Sequence, residues 1–427
     1  MAARVLDPIG VMMNMKKLIS LLLAICIVLA LVSCRNRDSN GELHIETPPS
    51  VTSPVGMEQQ EEVNRQEEIS EASYEPFEGK IAIINYGPGS GFADSEIAWL
   101  LAKEFGEDRL ILMEWREPEI AIERIRLLAN DPDVRAIVAF SPPVWVPTEA
   151  FIELREERED IFLIFCFLWK PSSEEQIAMA QLADLVLITD EEGMDFSIAQ
   201  QAQRLGASTV VFYERPRSSP FPFLPERRER MELKSDEIGI QFAEHVAMEK
   251  RDSANNPLIL EGFINDFIKA IEEYDKDIAI YNANIPPRDL LNLINAAAET
   301  DVILICHLYH FIAASLGVIP DFNFYDILPP EEEYIYKIRA IFAEKNMAGR
   351  ISAWSVPDSW VNIYASVQYA IKWINGEVPR EGIDVDALRQ LMEDFALVDV
   401  KLTPFVEEGT GQTFDNFFMV LMDFITF

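Results

Sequence analysis

Cys34 is the first residue in the chain whose neighbours assign it a chemistry. It stands directly behind Leu31-Val32-Ser33, which closes an apolar run from Leu18 to Leu31 headed by Lys16 and Lys17. A basic start, a short apolar segment and a small residue ahead of cysteine form the pattern of a bacterial lipoprotein signal. In that chemistry the thiol is lipidated and the chain is cleaved just before it. The apolar run has about 14 residues, short of the roughly 20 needed for a permanent span. The chain is therefore expected to begin at Met15, to lose everything through residue 33, and to sit outside the cytoplasm. Lipid on Cys34 is its expected attachment to the cell membrane.

A second set of chemistry-bearing residues recurs where apolar runs end. Asn85-Tyr86 lead into Gly87-Pro88-Gly89-Ser90-Gly91, and Ser141-Pro142-Pro143-Val144-Trp145 follows a later run. Trp169 and Asp190 stand at two further ends, then Arg215, Asn282, Asn284, His307 and Trp354. Asparagine offers both donor and acceptor, arginine grips carboxylate or phosphate through two parallel bonds, and tryptophan stacks on planar or sugar surfaces. Asp190 heads a helical pattern, a position equally suited to capping it. Gly87 to Gly91 is out of register for GxGxxG and lacks the lysine of a phosphate loop, so it reads as a flexible turn.

Catalytic patterns are absent from the sequence. There is no GxSxG elbow, no HExxH and no CxxC. No cofactor and no metal are expected. Adjacent acids such as Glu191-Glu192 are expected on solvated faces in a chain with 72 acidic residues. Glu226-Arg227-Arg228-Glu229-Arg230 reads as a mixed-charge helix surface. Cys166 and Cys306 lie in apolar runs and read as buried small hydrophobes, with a disulfide between them left open. The net charge is −36. Residues 1–33 carry Arg4, Lys16, Lys17 and Asp7, so removing them leaves −38. A surface that acidic repels nucleic acid and anionic headgroups, which excludes both as partners.

The elements that must position these residues follow from hydrophobic patterning. Residues 34–78 are rich in Ser, Thr, Pro, Gln and Glu and poor in apolar side chains, so they are expected to form a disordered acidic stalk. A flexible chain of ~44 residues reaches roughly 35–40 Å. Beyond it, strand-like runs (Ile81–Asn85, Leu110–Trp115, Ala136–Phe140, Phe162–Phe167, Leu185–Thr189, Thr209–Tyr213) alternate with helical segments. The alternation resumes through Ile240–His245, Asp277–Tyr281, Val302–Cys306 and Arg350–Ser355. Continuous apolar strands separated by helices predict an α/β fold of parallel sheets covered on both faces. Its length predicts two doubly wound lobes joined by a hinge. The boundaries are a first lobe at 79–207, a second at 208–350, a return strand and helix at 351–377, and a C-terminal extension at 378–427. Within the extension, residues 384–396 read as a helix. Phe417, Phe418, Leu421, Phe424 and Ile425 are expected on one face of a terminal helix packed on a lobe.

Several local blocks carry a resemblance. They are Asn130-Asp131-Pro132-Asp133-Val134-Arg135-Ala136-Ile137-Val138, Ala183-Asp184-Leu185-Val186-Leu187, Leu205-Gly206-Ala207, Pro216-Arg217 and Arg227-Arg228-Glu229-Arg230-Met231. Two more specific ones are Gly349-Arg350-Ile351-Ser352-Ala353-Trp354-Ser355-Val356-Pro357 and Tyr369-Ala370-Ile371-Lys372-Trp373-Ile374-Asn375-Gly376. From Lys80 to Glu377 the chain resembles an uncharacterised bacterial lipoprotein family, a domain of unknown function, with the type I periplasmic-binding-protein fold. The family carries a histidine after the Pro-Arg pair. Ser218 stands there in this chain, so no ligand role transfers.

The resemblance implies two hinged lobes holding solute in a cleft, and it names no ligand. The expected function is a lipid-anchored receptor that captures a small polar solute and passes it to a membrane permease or a sensor, making and breaking no bond. Two other readings stand beside it. One is an envelope enzyme acting on a cell-wall or nucleotide-derived substrate, with Asp190 or His307 as base. The other is a structural or interaction lipoprotein.

Overall fold

The computed structural model describes residues 77–86, 92–115, 118–140, 148–167, 173–214, 224–246, 259–274, 277–282, 287–319, 330–407 and 409–427. In chain order, β1 (Lys80–Tyr86), α1 (Phe92–Phe105), β2 (Leu110–Trp115), α2 (Pro118–Asn130) and β3 (Val134–Phe140) come first. Next are α3 (Thr148–Glu157), β4 (Phe162–Phe167), α4 (Ser173–Leu182), β5 (Leu185–Thr189) and α5 (Glu191–Arg204). Then follow β6 (Thr209–Glu214), α6 (Leu224–Ile238), β7 (Gln241–Val246), α7 (Ile259–Tyr274) and β8 (Ile278–Asn282). After these run α8 (Pro287–Thr300), β9 (Ile303–Leu308), α9 (Tyr309–Ser315), α10 (Glu332–Glu344) and β10 (Ile351–Trp354). The last elements are α11 (Asp358–Asn375), α12 (Val385–Ala396), β11 (Val400–Val406), β12 (Thr413–Met422) and β13 (Phe424–Thr426).

The strands assemble into two sheets. One has seven strands in the order β11-β12-β5-β4-β3-β1-β2, and the other has six in the order β13-β10-β9-β8-β6-β7. Pairing is parallel except for β11 with β12 and β10 with β13. Every residue of β5 and of β8 is buried, as parallel strands covered on both faces require. The two-residue period of the strands divides each sheet's core in two. Ile81 and Ile83 face α1, α11 and α12, while Ala82 and Ile84 face α2 and α3. In the second sheet Val211 and Tyr213 face α8 and α9, while Val210 and Phe212 face α5 and α6.

Three segments cross between the sheets. The first leaves β5 through α5, whose Met194, Ile198, Ala199 and Ala202 pack on the second sheet against Val210 and Phe212. The second leaves β10 and enters α11, whose Trp360 and Val361 pack on the first sheet. The third passes from β12 to β13 with only Asp423 between them. These two sheets, mostly parallel and repeatedly crossed, are the two α/β lobes expected from the sequence.

The tail departs from expectation. Residues 413–426 form no terminal helix. They are extended, with β12 lying between β5 and β11 and β13 lying beside β10. Phe417 and Met419 pack to one side while Phe418, Val420 and Met422 pack to the other, a period of two. Both neighbouring edges offer unpaired backbone groups, and satisfying them outweighs the weak helical spacing of the apolar residues. Strand β9 runs to Leu308, and His310 is fully buried in α9. Cys166 and Cys306 are free, buried thiols. Among the described residues no helix is long and apolar enough to cross a membrane.

Candidate functional site

Polar side chains gather where the three crossings meet the second sheet. Helix α5 begins at Asp190, whose Oδ1 accepts from Gly193 N at 2.9 Å. That cap places Asp195 one turn into the helix, almost wholly buried. Asp195 Oδ1 accepts from Arg227 Nε at 2.5 Å, and Oδ2 accepts from Arg230 Nη1 at 3.0 Å. Arg227 Nη1 donates to the hydroxyl of Tyr281 in β8 at 3.0 Å. The guanidinium carbon lies 5.4 Å from the ring centroid of Trp354, at the end of β10. Phe424 of β13 stacks on Trp354 at 5.2 Å, and the His307 ring meets it edge-on at 5.4 Å.

The network draws Arg227 into the interior, correcting its reading as helix surface. Leu224, Arg227, Met231 and Ser235 are the buried residues of α6, spaced along one helical stripe. That spacing was the available signal. Arg228 is on another face and pairs with Glu244 at 2.8 Å. Burial opposes the Arg227 charge, but Tyr281 and Asp195 together hold its pKa above the usual value. Burial, then Arg227 and His310, push His307 down to about 3, so its ring is neutral. The His307 Nδ1 atom is buried with no hydrogen-bond partner.

The crossings are also tied to one another directly. Thr189 Oγ1, at the end of β5, donates to Asp358 Oδ2 at the start of α11. Asp190 N donates to Val420 O of β12 at 2.9 Å. Burial raises the pKa of both Asp358 and Glu191. Sequence reasoning missed Asp195, Asp358 and Thr189, because partners distant in sequence make them significant.

The residues nominated from sequence fare differently. Cys34, Ser141, Trp145, Trp169, Arg215 and Asn284 lie outside the described residues. Asn85 and Tyr86 end β1, opposite Glu114 and Trp115 of β2. Asn282 is buried at the end of β8, opposite Tyr213 of β6. Asp190 is a helix cap. Trp354 is 1 % exposed, with Phe424 stacked on it and Arg227 over its ring. Of the nominated residues, the structure brings His307 and Trp354 together.

A cavity of about 540 Å³ lies between α10, residues 397–399 and β13, lined by Tyr336, Arg339, Leu397, Asp399 and Phe424 among others. No residue nominated from sequence lines it. Among the described residues, no group of three or more His, Cys, Asp or Glu side chains is placed to hold a metal ion.

Residues 114–316 match the family described as "Protein of unknown function (DUF3798)". Two uncharacterised proteins of Treponema pallidum (strain Nichols) are similar to this chain. One is 29% identical over 157 residues, covering 37% of this chain and 70% of the relative. The other is 29% identical over 178 residues, covering 42% and 75%. Among solved structures, a putative transcriptional regulator from Clostridium difficile 630 superposes with a TM-score of 0.62 at 17% identity, covering 83% of this chain and 100% of that one. At that identity the likeness is one of fold. The expected resemblance to an uncharacterised family, a domain of unknown function, therefore holds, as does the two-lobe α/β fold.

Proposed function

We propose that the protein is a lipid-anchored, extracytoplasmic solute-binding protein that closes two lobes around a small polar ligand without chemical turnover. One observation carries this reading: three crossings are fastened into a single knot, while each sheet keeps its own helices and core. Such a joint lets two rigid bodies rotate about one place. Ligands of parallel sheets collect beyond the carboxyl ends of the strands. Asn85, Tyr86, Ser141, Trp145, Trp169, Arg215, Asn282, Asn284 and His307 are the contacts proposed there, and Cys34 is the proposed lipid site. The captured solute would pass to a permease or a sensor.

Thermal melting of the purified protein with nucleosides, sugars and amino acids tests capture, and chromatography of the recovered compound tests turnover. A compound that raises Tm and is recovered unchanged supports binding, whereas its conversion replaces the reading with an enzymatic one. Metabolic labelling with an alkyne fatty acid tests the anchor. Label that persists in Cys34→Ser would remove that residue from the proposal.

A further inference from the structure

Helix α11 runs against β4 in the opposite direction. Phe162, at the start of β4, stacks on Tyr369 at 6.0 Å and on Trp373 at 4.9 Å, both in the second half of the helix. Cys166, one residue from the end of β4, meets Ser366 Oγ at 3.1 Å and the backbone oxygen of Asn362 at 3.7 Å. Asn362 therefore sits level with the carboxyl end of the first sheet. Helical side chains lean toward the helix N-terminus, which directs this one past the strand end. Asn362 is 1 % exposed, and both its Oδ1 and Nδ2 are buried with no hydrogen-bond partner. Leaving a buried amide wholly unmatched is costly, so such a group calls for a reason.

Resting on the solute-binding reading, we propose that Asn362 reads the ligand, and that the ligand presents an uncharged amide edge, an N–H beside a C=O, as nucleobases do. A carboxamide carries one acceptor and one donor side by side, which pairs with such an edge through two parallel bonds. A charged ligand atom would lose its hydration here in exchange for a neutral partner, which disfavours ions. The residue lies in a helix interior among apolar neighbours, outside the loops that sequence reasoning searched.

The test uses the whole protein, with uridine and inosine as probes, 3-methyluridine as the probe lacking the edge N–H, and ribose as the probe lacking the base. Calorimetric affinity and ligand-induced change in Tm are read for wild type and Asn362→Leu. Leucine fills similar space and removes only unmatched polar atoms, so the unliganded variant is expected to melt at or above the wild-type Tm. The expected result is binding of uridine or inosine to wild type, weakened at least ~10-fold by Asn362→Leu. Methylation at N3 is expected to weaken uridine comparably, a comparison that needs no variant. Equal affinity in the variant, equal affinity for 3-methyluridine, or ribose binding as tightly as uridine overturns the role of Asn362 and leaves solute binding standing. No response to any of these four compounds overturns the amide-edge ligand, and solute binding itself falls only if the wider panel of sugars and amino acids is silent too.

Discussion

Phe424 and Trp354 stack at 5.2 Å with their planes 22° apart, and they belong to different crossings. Trp354 ends β10 just before the chain departs for the first sheet, and Phe424 begins β13 just after the chain has returned from it. Arg227 lies over the same indole and is bound to Asp195 in the first crossing. One aromatic ring thus joins two of the connections directly and reaches the other through Arg227.

Truncating that stack loosens the joint from the core outward. Phe424→Ala is expected to destabilise the protein by about 3–5 kcal/mol, the range for emptying a buried aromatic site. Urea unfolding monitored by circular dichroism measures it. A loss below about 1 kcal/mol would show that the stack closes no gap.

The buried ion pair should respond asymmetrically. Asp195→Asn leaves Arg227 without its carboxylate, and breaking a buried pair typically costs about 3–5 kcal/mol. Arg230 contacts the same carboxylate, but its side chain is 32% exposed, so Arg230→Ala should cost under about 1 kcal/mol. Equal losses in the two variants, again by urea unfolding, would contradict the network as described.

Acid should weaken the fold through its buried histidines. His307 and His310 are both pushed down to about 3, chiefly by burial, from an ordinary value of 6.5. The unfolded chain therefore binds protons that the native state refuses between those values. Stability from this source is complete above pH 6.5 and falls as pH drops toward 3. Each histidine contributes a slope of about 1.4 kcal/mol per pH unit across that window. Glu191 and Asp358, raised by burial, act in the opposite sense, so the informative comparison is with His310→Phe. That variant should lose stability less steeply between pH 6 and 4 when unfolding midpoints are followed across the range.

Buried thiols should be silent until the fold opens. Burial pushes Cys166 up to about 12 and raises Cys306 as well, and thiolate is the reactive form. Iodoacetamide at pH 8 should leave both unmodified in native protein and modify both in urea, as read by peptide mass spectrometry. Rapid native modification of Cys306 would mean that the second lobe opens far more readily than its packing implies.

The strand and helix order was legible because parallel strands buried on both faces write themselves as continuous apolar runs, Leu185 to Thr189 being a clear case. The tail was not. Phe417, Phe418, Leu421, Phe424 and Ile425 suit a helical stripe as well as alternating faces, and only the empty edges of β5 and β10 decide between them. Asp190 was legible as a cap from its place before a helix. Arg227 was obscured by the charged residues around it, although its spacing from Leu224 and Met231 marked the buried stripe. Asn362 gave a fainter sign, a polar residue four positions before Ser366 on the face that packs against β4. What makes it notable is the lack of a partner, which only coordinates reveal.

The shared tail also bears on the order in which the molecule can form. A chain emerging from its N-terminus presents β5 and β10 long before β12 and β13 exist to cover them. Both sheets therefore keep an open edge until residues 413–426 arrive. The two lobes thus share one closing segment, and completing either sheet completes its neighbour within a few residues.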